Sequence, residues 1–363
     1  MQLPSALSWL VDAASASSGA DRLLAELGAR LIADGVPLAG GALTLAVPHP
    51  LIARRTWLWR ADTGAVIEAL GFAGVLDVAA PVDSGGDAGR RWLAALASGV
   101  VQENAAGPGA DAPVLGWIAP QPFTAEETEQ LRQVARFATA PLAALAARAA
   151  LTAALEAYLG RRSAARVLAA PLRRGVGETI RAALLYADLR GFTALSETTA
   201  PAELIAALGA WFDRVAGAVH AFGGEVLKFI GDGVLAIFPV GGESPRGACE
   251  AALRAVAAAR AGMAHLDTTR RAQGLPPLPF GVALHLGEIL WGNIGAADRL
   301  DFTALGPAVN LVSRLEGLCR PLERAVLVSG AVAAETDMPL VSLGTHALRG
   351  IAAPCAVFTV PDG

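Results

Sequence analysis

The stretch Gly223-Gly-Glu-Val-Leu-Lys-Phe-Ile-Gly-Asp-Gly-Val-Leu-Ala-Ile-Phe238 decides how the C-terminal half of the chain is read. Two apolar runs, Val226 to Ile230 and Val234 to Phe238, flank the tripeptide Gly231-Asp232-Gly233. Apolar and β-branched runs broken by a Gly-Asp-Gly turn predict a β-hairpin. One ammonium, Lys228, and one carboxylate, Asp232, sit in this otherwise apolar ribbon, where a buried charge is costly without a partner. A turn aspartate and a snorkelling lysine would satisfy a purely structural hairpin. Composition favours more than that for the lysine, because Lys228 is the sole lysine among 29 basic residues and every other one is arginine. A compact ammonium with three rotatable donors suits one ring nitrogen in a tight pocket better than a planar guanidinium fork does.

Outward from the hairpin the predicted elements alternate. Ala182 to Leu189 is a strand, Pro201 to Phe222 a helix closed by Gly223-Gly224, and Ser244 to Leu266 a second helix. Phe280 to Leu284 and Ile289 to Ile294 are read as strands, Pro307 to Leu318 as a helix, and Ala325 to Ser329 as a strand before a terminal strand pair. Strand–helix–strand–strand–helix–strand is the ferredoxin-like βαββαβ plan, an α+β class. Asp188 ends the first of these strands and runs into a Gly-containing turn, a setting for a cation together with phosphate oxygens. The plan brings Asp232 beside it, and two carboxylates on neighbouring strand ends suit two Mg²⁺ or Mn²⁺ ions on a triphosphate. His285, on a strand, is read as structural rather than as a base.

Residues 1–122 are expected to form a separate α/β domain. Ala20 to Ala33 has helical spacing, and strand-like runs follow at Gly41 to Val47, Thr56 to Arg60 and Val114 to Ala119. Trp57, Trp59, Trp92 and Trp117 could line a ligand pocket, but half-buried strand aromatics are commonplace and are the favoured reading. The pattern resembles a GAF-type sensor module. Thr124-Ala-Glu-Glu127 is a capping box, opening a helix that is expected to run toward Leu168 with a break or kink at Pro141. Leu131, Val134, Ala138, Leu142 and Leu145 form a stripe that fits either a second copy of the chain or the helix's own domain. Residues 123–178 are thus read as a signalling or dimerisation helix and linker, ending in Pro171-Leu-Arg-Arg-Gly-Val-Gly177, with the second domain spanning 179–363.

A net charge of −4 gives no basic face for nucleic acid. Ala138 to Leu155 is the nearest approach to a membrane span, but it is mostly alanine and contains Pro141 and Arg148. Three scattered cysteines, Cys249, Cys319 and Cys355, fit small buried apolar groups in a reducing compartment. The N-terminal Met-Gln-Leu-Pro-Ser has no basic leader pattern. The expectation is a cytoplasmic protein without membrane insertion.

Residues from about 180 to 360 resemble the catalytic domain of the class III nucleotidyl cyclases. The resemblance rests on Ala-Asp-Leu-Arg-Gly-Phe-Thr (187–193), Gly-Glu-Val-Leu-Lys-Phe-Ile-Gly-Asp (224–232), His-Leu-Gly-Glu (285–288), Gly-Asn-Ile-Gly (292–295) and Asp-Phe-Thr-Ala-Leu-Gly-Pro-Ala-Val-Asn-Leu-Val-Ser-Arg-Leu-Glu (301–316). It implies that Asp188 and Asp232, with the Leu189 carbonyl, hold two Mg²⁺ or Mn²⁺ ions, and that Phe192 and Thr193 lie at the substrate. It implies that Lys228 and Thr303 read an adenine ring, that Asn310 and Arg314 handle the ribose and α-phosphate, and that Arg349 stands where the family commonly has a phosphate-binding lysine. Threonine at 303 resembles the subgroup that includes bicarbonate-responsive enzymes. Pro307 departs from the usual polar residue but suits a first helical position. The implied activity is an adenylate cyclase that converts ATP to 3′,5′-cyclic AMP at two sites shared across a homodimer. A guanylate cyclase, or a silent cyclase-like dimerisation module, is the alternative. The Gly-Gly-Asp/Glu-Glu-Phe run of diguanylate cyclases is absent from the sequence.

Overall fold

The computed structural model describes residues 4–14, 19–47, 52–72, 87–170, 173–242 and 244–361. The chain divides into two compact units, Met1–Tyr158 and Leu159–Gly363. In the first, α1 (Ser5–Asp12) and α2 (Ala20–Ala33) precede β1 (Gly40–Ala46), β2 (Ile52–Arg60) and β3 (Val66–Phe72). Then come α3 (Asp87–Leu96), β4 (Gln102–Ala105), β5 (Val114–Ile118), α4 (Ala125–Phe137) and α5 (Thr139–Leu159). The strands form one antiparallel sheet in the order β3-β2-β1-β5-β4. Alternation along β1 sends Leu43 and Leu45 into the core shared with α1, α2 and α4, and Ala42 to the face covered by α3.

The structure decides three readings here. Leu131, Val134, Ala138 and Leu142 are fully buried in the core of this unit, with Leu145 packed against it, so the stripe serves its own domain rather than a second copy. The four tryptophans do not line one pocket: Trp57, Trp59 and Trp117 pack toward one core and Trp92 toward the core on the opposite sheet face. The capping box on Thr124 and Glu127 forms as read, but the helix breaks at Ala138 instead of Pro141, which sits in the first turn of α5, where its missing N–H costs nothing. Helix α5 ends before Gly160, so no single helix reaches Leu168. Among the described residues α5 is the one helix long and apolar enough to cross a membrane, with mean hydropathy 1.4. Pro171 and Leu172 of the expected linker lie outside the described residues.

The second unit opens with α6 (Arg161–Ala169), followed by β6 (Gly177–Leu189), α7 (Phe192–Thr198), α8 (Pro201–Ala221), β7 (Glu225–Ile230) and β8 (Gly233–Pro239). Next are α9 (Arg246–Ala272), β9 (Phe280–Gly295), β10 (Leu300–Leu305) and α10 (Pro307–Glu316). The unit ends with β11 (Val326–Ser329), α11 (Gly330–Ala333), β12 (Val341–His346) and β13 (Cys355–Thr359). The sheet order is β12-β13-β11-β9-β6-β8-β7, with β10 paired to β9. Within it β9-β6-β8-β7, built from β6-α8-β7-β8-α9-β9, is the ferredoxin-like βαββαβ core.

Strand β6 is apolar on both faces because both are covered. Ala183, Leu185 and Ala187 pack with Trp211 and Val215 of α8 and with α9, whereas Ala182 and Leu184 pack with Val312 and Leu315 of α10. The two strands expected at Phe280–Leu284 and Ile289–Ile294 are one, since β9 runs unbroken beside β6 from Leu189↔Phe280 to Gly177↔Gly292. His285, Gly287 and Glu288 interrupt the apolar pattern without interrupting the ladder, because backbone pairing does not depend on side-chain polarity.

Candidate active site

The hairpin turn is two residues long, with Ile230 paired to Gly233 and Gly231 at φ +63°, a conformation that favours glycine. Asp232 is held on both sides. Its carbonyl accepts a 2.8 Å hydrogen bond from the indole N–H of the buried Trp211, and its Oδ2 accepts one of 3.2 Å from the backbone N–H of Leu189. The residue before Leu189 is Asp188, at the end of β6, so strand pairing brings the two carboxylates side by side as the sequence predicts.

Asp188 carries a charge problem that marks the site. Burial, a hydrogen bond with Asp232 and the charges of Asp232 and Glu316 push its carboxyl up from 3.8 to about 7. Its Oδ1 is buried without a hydrogen-bond partner. Two adjacent carboxylates that cannot both ionise comfortably, one with an unsatisfied oxygen, fit a divalent cation well. Among the described residues there is no cluster of three or more His, Cys, Asp or Glu side chains arranged for a metal. The pair would therefore hold a cation whose remaining ligands are backbone, water or phosphate oxygens.

Lys228 lies on β7 just after a register shift between Val226 and Lys228. Its ammonium is ion-paired with Asp301 at the start of β10. Thr303 is two residues further on the same strand and is buried. Sequence reading gave no role to Asp301, although the two-residue period of a strand puts it on the same face as Thr303. Phe192 and Thr193 open α7 directly after the Asp188 strand. Asn310 and Arg314 lie one turn apart on the outer face of α10, whose inner face buries Ala308, Val312 and Leu315. Asn310, Arg314 and Arg349 are exposed, and among the described residues their side chains make no hydrogen bond or ion pair. Among the described residues no hydrogen bond or ion pair joins Asp188 or Asp232 to Lys228, Asn310 or Arg314. Phe229 and Ile230 beside Lys228, and Leu290 and Leu305 paired across β9 and β10, are all more than two-fifths exposed.

His285 is neutral and structural. Burial pushes its imidazole down to about 4, and its Nδ1 is 2.9 Å from Ser329 Oγ. Arg190, inside the Asp188 motif, donates to the carbonyls of Cys319 (3.2 Å) and Arg324 (2.5 Å), which ties that turn to the loop after α10.

The sequence profile of the adenylate and guanylate cyclase catalytic domain matches residues 177–350. Adenylate cyclase 1 of Rhizobium meliloti is 34% identical over 178 residues, which cover 48% of this chain and 27% of that protein. An adenylate cyclase of Anabaena cylindrica is 30% identical over 169 residues, covering 46% and 32%. The matched stretch is thus less than a third of the length of either relative. A solved structure of a bacterial light-regulated adenylyl cyclase shares the fold, with TM-score 0.51 at 24% identity over 66% of this chain and 68% of that one.

Proposed function

We propose, from the match of residues 177–350 to the adenylate and guanylate cyclase catalytic domain family, that this chain cyclises ATP to 3′,5′-cyclic AMP and pyrophosphate. The observation that carries the choice of ATP is Lys228, held by Asp301 beside Thr303. An ammonium donates to an unprotonated ring nitrogen, as adenine offers and the protonated N1 of guanine does not. In the reaction the ribose 3′-oxygen bonds to the α-phosphorus, the bond to the β-phosphate oxygen breaks, and the hydroxyl proton passes to solvent. Asn310 hydrogen-bonds the ribose, Arg314 stabilises charge on the α-phosphate, and Arg349 binds the terminal phosphates. Phe192 and Thr193 line the phosphate end. Mg²⁺ or Mn²⁺ bound at Asp188, Leu189 and Asp232 would supply charge neutralisation and acidify the attacking hydroxyl.

Two sites shared between two copies account for the rest. Among the described residues no hydrogen bond or ion pair joins Asp188 or Asp232 to Lys228 or Arg314 of the same chain, and the apolar surface at Phe229, Ile230, Leu290 and Leu305 flanks the purine-reading residues. A head-to-tail homodimer would cover that surface and join the two half-sites. We read the N-terminal unit as a GAF-like sensor in a cytoplasmic protein. Helix α5 is read as lying in water, since ten of its 21 residues are alanine, Arg148 is within it, and Pro141 and Leu142 belong to the N-terminal core.

The test is product analysis. Full-length protein is incubated with ATP or GTP in Mn²⁺ and in Mg²⁺, and the products are separated by chromatography. Cyclic AMP from ATP with little product from GTP is expected. Cyclic GMP formed as readily would overturn the ATP assignment.

A further inference from the structure

Strand β7 begins on Glu225, whose side chain is 3% exposed. A buried carboxylate is costly without partners, and among the described residues no lysine or arginine pairs with this one. Its Oε1 accepts instead from the backbone N–H of Ser163 at 2.8 Å and from Ser163 Oγ at 2.6 Å. Its Oε2 is buried without a partner. Ser163 lies in the first turn of α6, so a side chain 62 residues away caps that helix where its free N–H groups and dipole favour an anion. The helix's own N-cap, Gly160, has no side chain and sits at φ +82°. A Cβ there would come 3.1 Å from Glu225 Oε1 and 3.4 Å from its Cγ, so glycine both permits the turn and leaves room for the carboxylate.

Further along, α6 is fastened to a different strand. The Arg166 guanidinium lies 4.3 Å from the ring centroid of Trp291 on β9 and pairs with Glu178 on β6. Trp291 is opposite Ala304 in the β9–β10 ladder and meets Phe302 edge-on at 5.7 Å. Phe302 and Ala304 are the neighbours of Thr303. One end of α6 therefore holds the strand of Lys228 and the other holds the strands that present Asp301 and Thr303. The ladder alone does not set Lys228, because the β7–β8 register shifts between Val226 and Lys228.

We propose that Glu225 is a positioning residue for purine recognition: through Ser163 it makes α6 a brace that sets Lys228 against Thr303. This rests on the reading that Lys228 and Thr303 face the purine. Asp232 is anchored separately by Trp211 and the Leu189 N–H, so the brace acts on base selection more than on the phosphate chemistry.

The experiment compares full-length wild type with Glu225→Gln, Ser163→Ala and Ser163→Thr. It measures steady-state kinetics with ATP and GTP, and amide hydrogen exchange over 161–169 and 225–230. Glu225→Gln should raise KM for ATP about tenfold, the scale of a lost charge-assisted hydrogen bond, with kcat held within about threefold and the ATP-over-GTP ratio reduced. Ser163→Ala should move in the same direction by less, and Ser163→Thr, which keeps the hydroxyl, should restore the wild-type KM. Exchange should rise in both segments together. An unchanged KM with faster exchange confined to 161–169 overturns the proposal, and so does a fall in kcat alone. If Glu225→Gln does not fold, Ser163→Ala carries the same comparison. A wild type that cyclises neither nucleotide would sink the purine-site reading instead, and the exchange data would still decide the brace: joint loosening of 225–230 in Ser163→Ala supports it, and loosening of α6 alone refutes it.

Discussion

The two units use their charged groups differently. In the N-terminal unit arginines pair close by: Arg30 with Glu26, Arg55 with Glu68, Arg60 with Asp62, Arg90 with Glu103 and Arg132 with Glu129. Its buried hydroxyls, Thr44 and Thr56, pair with each other at 3.0 Å, although the Trp117 indole N–H is buried without a partner. The C-terminal unit pairs many charges too, yet leaves Asp188 Oδ1 unsatisfied and Asn310, Arg314 and Arg349 exposed without partners among the described residues. An unsatisfied buried oxygen costs a fold stability; at Asp188 it lies beside a second carboxylate, Asp232, where the proposed cation would satisfy it.

The sharpest way to break this contrast is to remove one of the unsettled groups. Asp232→Ala should lower cyclic AMP formation by about 10³-fold or more while circular dichroism shows a folded chain; retained turnover would end the carboxylate-pair assignment. Mixing Asp188→Ala chains with Arg314→Ala chains should recover about a quarter of wild-type activity, because half of randomly paired dimers then hold one intact site of two. A mixture that stays inactive although heterodimers form would contradict sites shared between copies. Lys228→Glu combined with Thr303→Cys should shift the ATP-over-GTP ratio toward GTP by about 10- to 100-fold, read by competition of the two nucleotides.

Asp188→Asn sharpens the comparison through stability. Because the Asp188 carboxyl is raised from 3.8 to about 7 in the folded state, its favourable contribution is full below its ordinary pKa and is lost as pH rises through about 7. An uncharged asparagine escapes that loss. Without divalent cations the variant should melt a few degrees above wild type at pH 8 and show a smaller gap at pH 5. A gap that does not widen with pH would show that burial and the neighbouring carboxylates do not raise Asp188 in the folded state. The smallest effect is expected in the N-terminal unit, where Arg132→Ala should leave the melting temperature within about one degree and turnover unchanged, since exposed ion pairs contribute little.

Much of the C-terminal fold is legible because its elements are local and strongly patterned. The runs around Gly231-Asp232-Gly233 predict β7 and β8 to within a residue, and the Leu23, Leu24, Leu27 and Leu31 spacing predicts α2 to the residue. Short elements without periodicity escape notice, among them α1, β4 and β10. Strand β9 is misread as two because its polar residues break an apolar pattern that backbone pairing does not need. Asp188, Asp232 and Lys228 stand out by type and setting. Asp301, Trp211 and Glu225 do not, since an aspartate, a tryptophan and a glutamate in a strand or helix look ordinary until their partners are known.

By itself the sequence determined the βαββαβ plan, the motifs between residues 187 and 316 and the capped start of α4, since each is written in residues near one another along the chain. Only the tertiary structure decided that the Leu131–Leu142 stripe is core, that Lys228 pairs with Asp301, and that Ser163 meets Glu225. Those contacts join residues brought together by sheet register and helix packing, and a carboxylate's role depends on which donors the fold sets within about 3 Å of it.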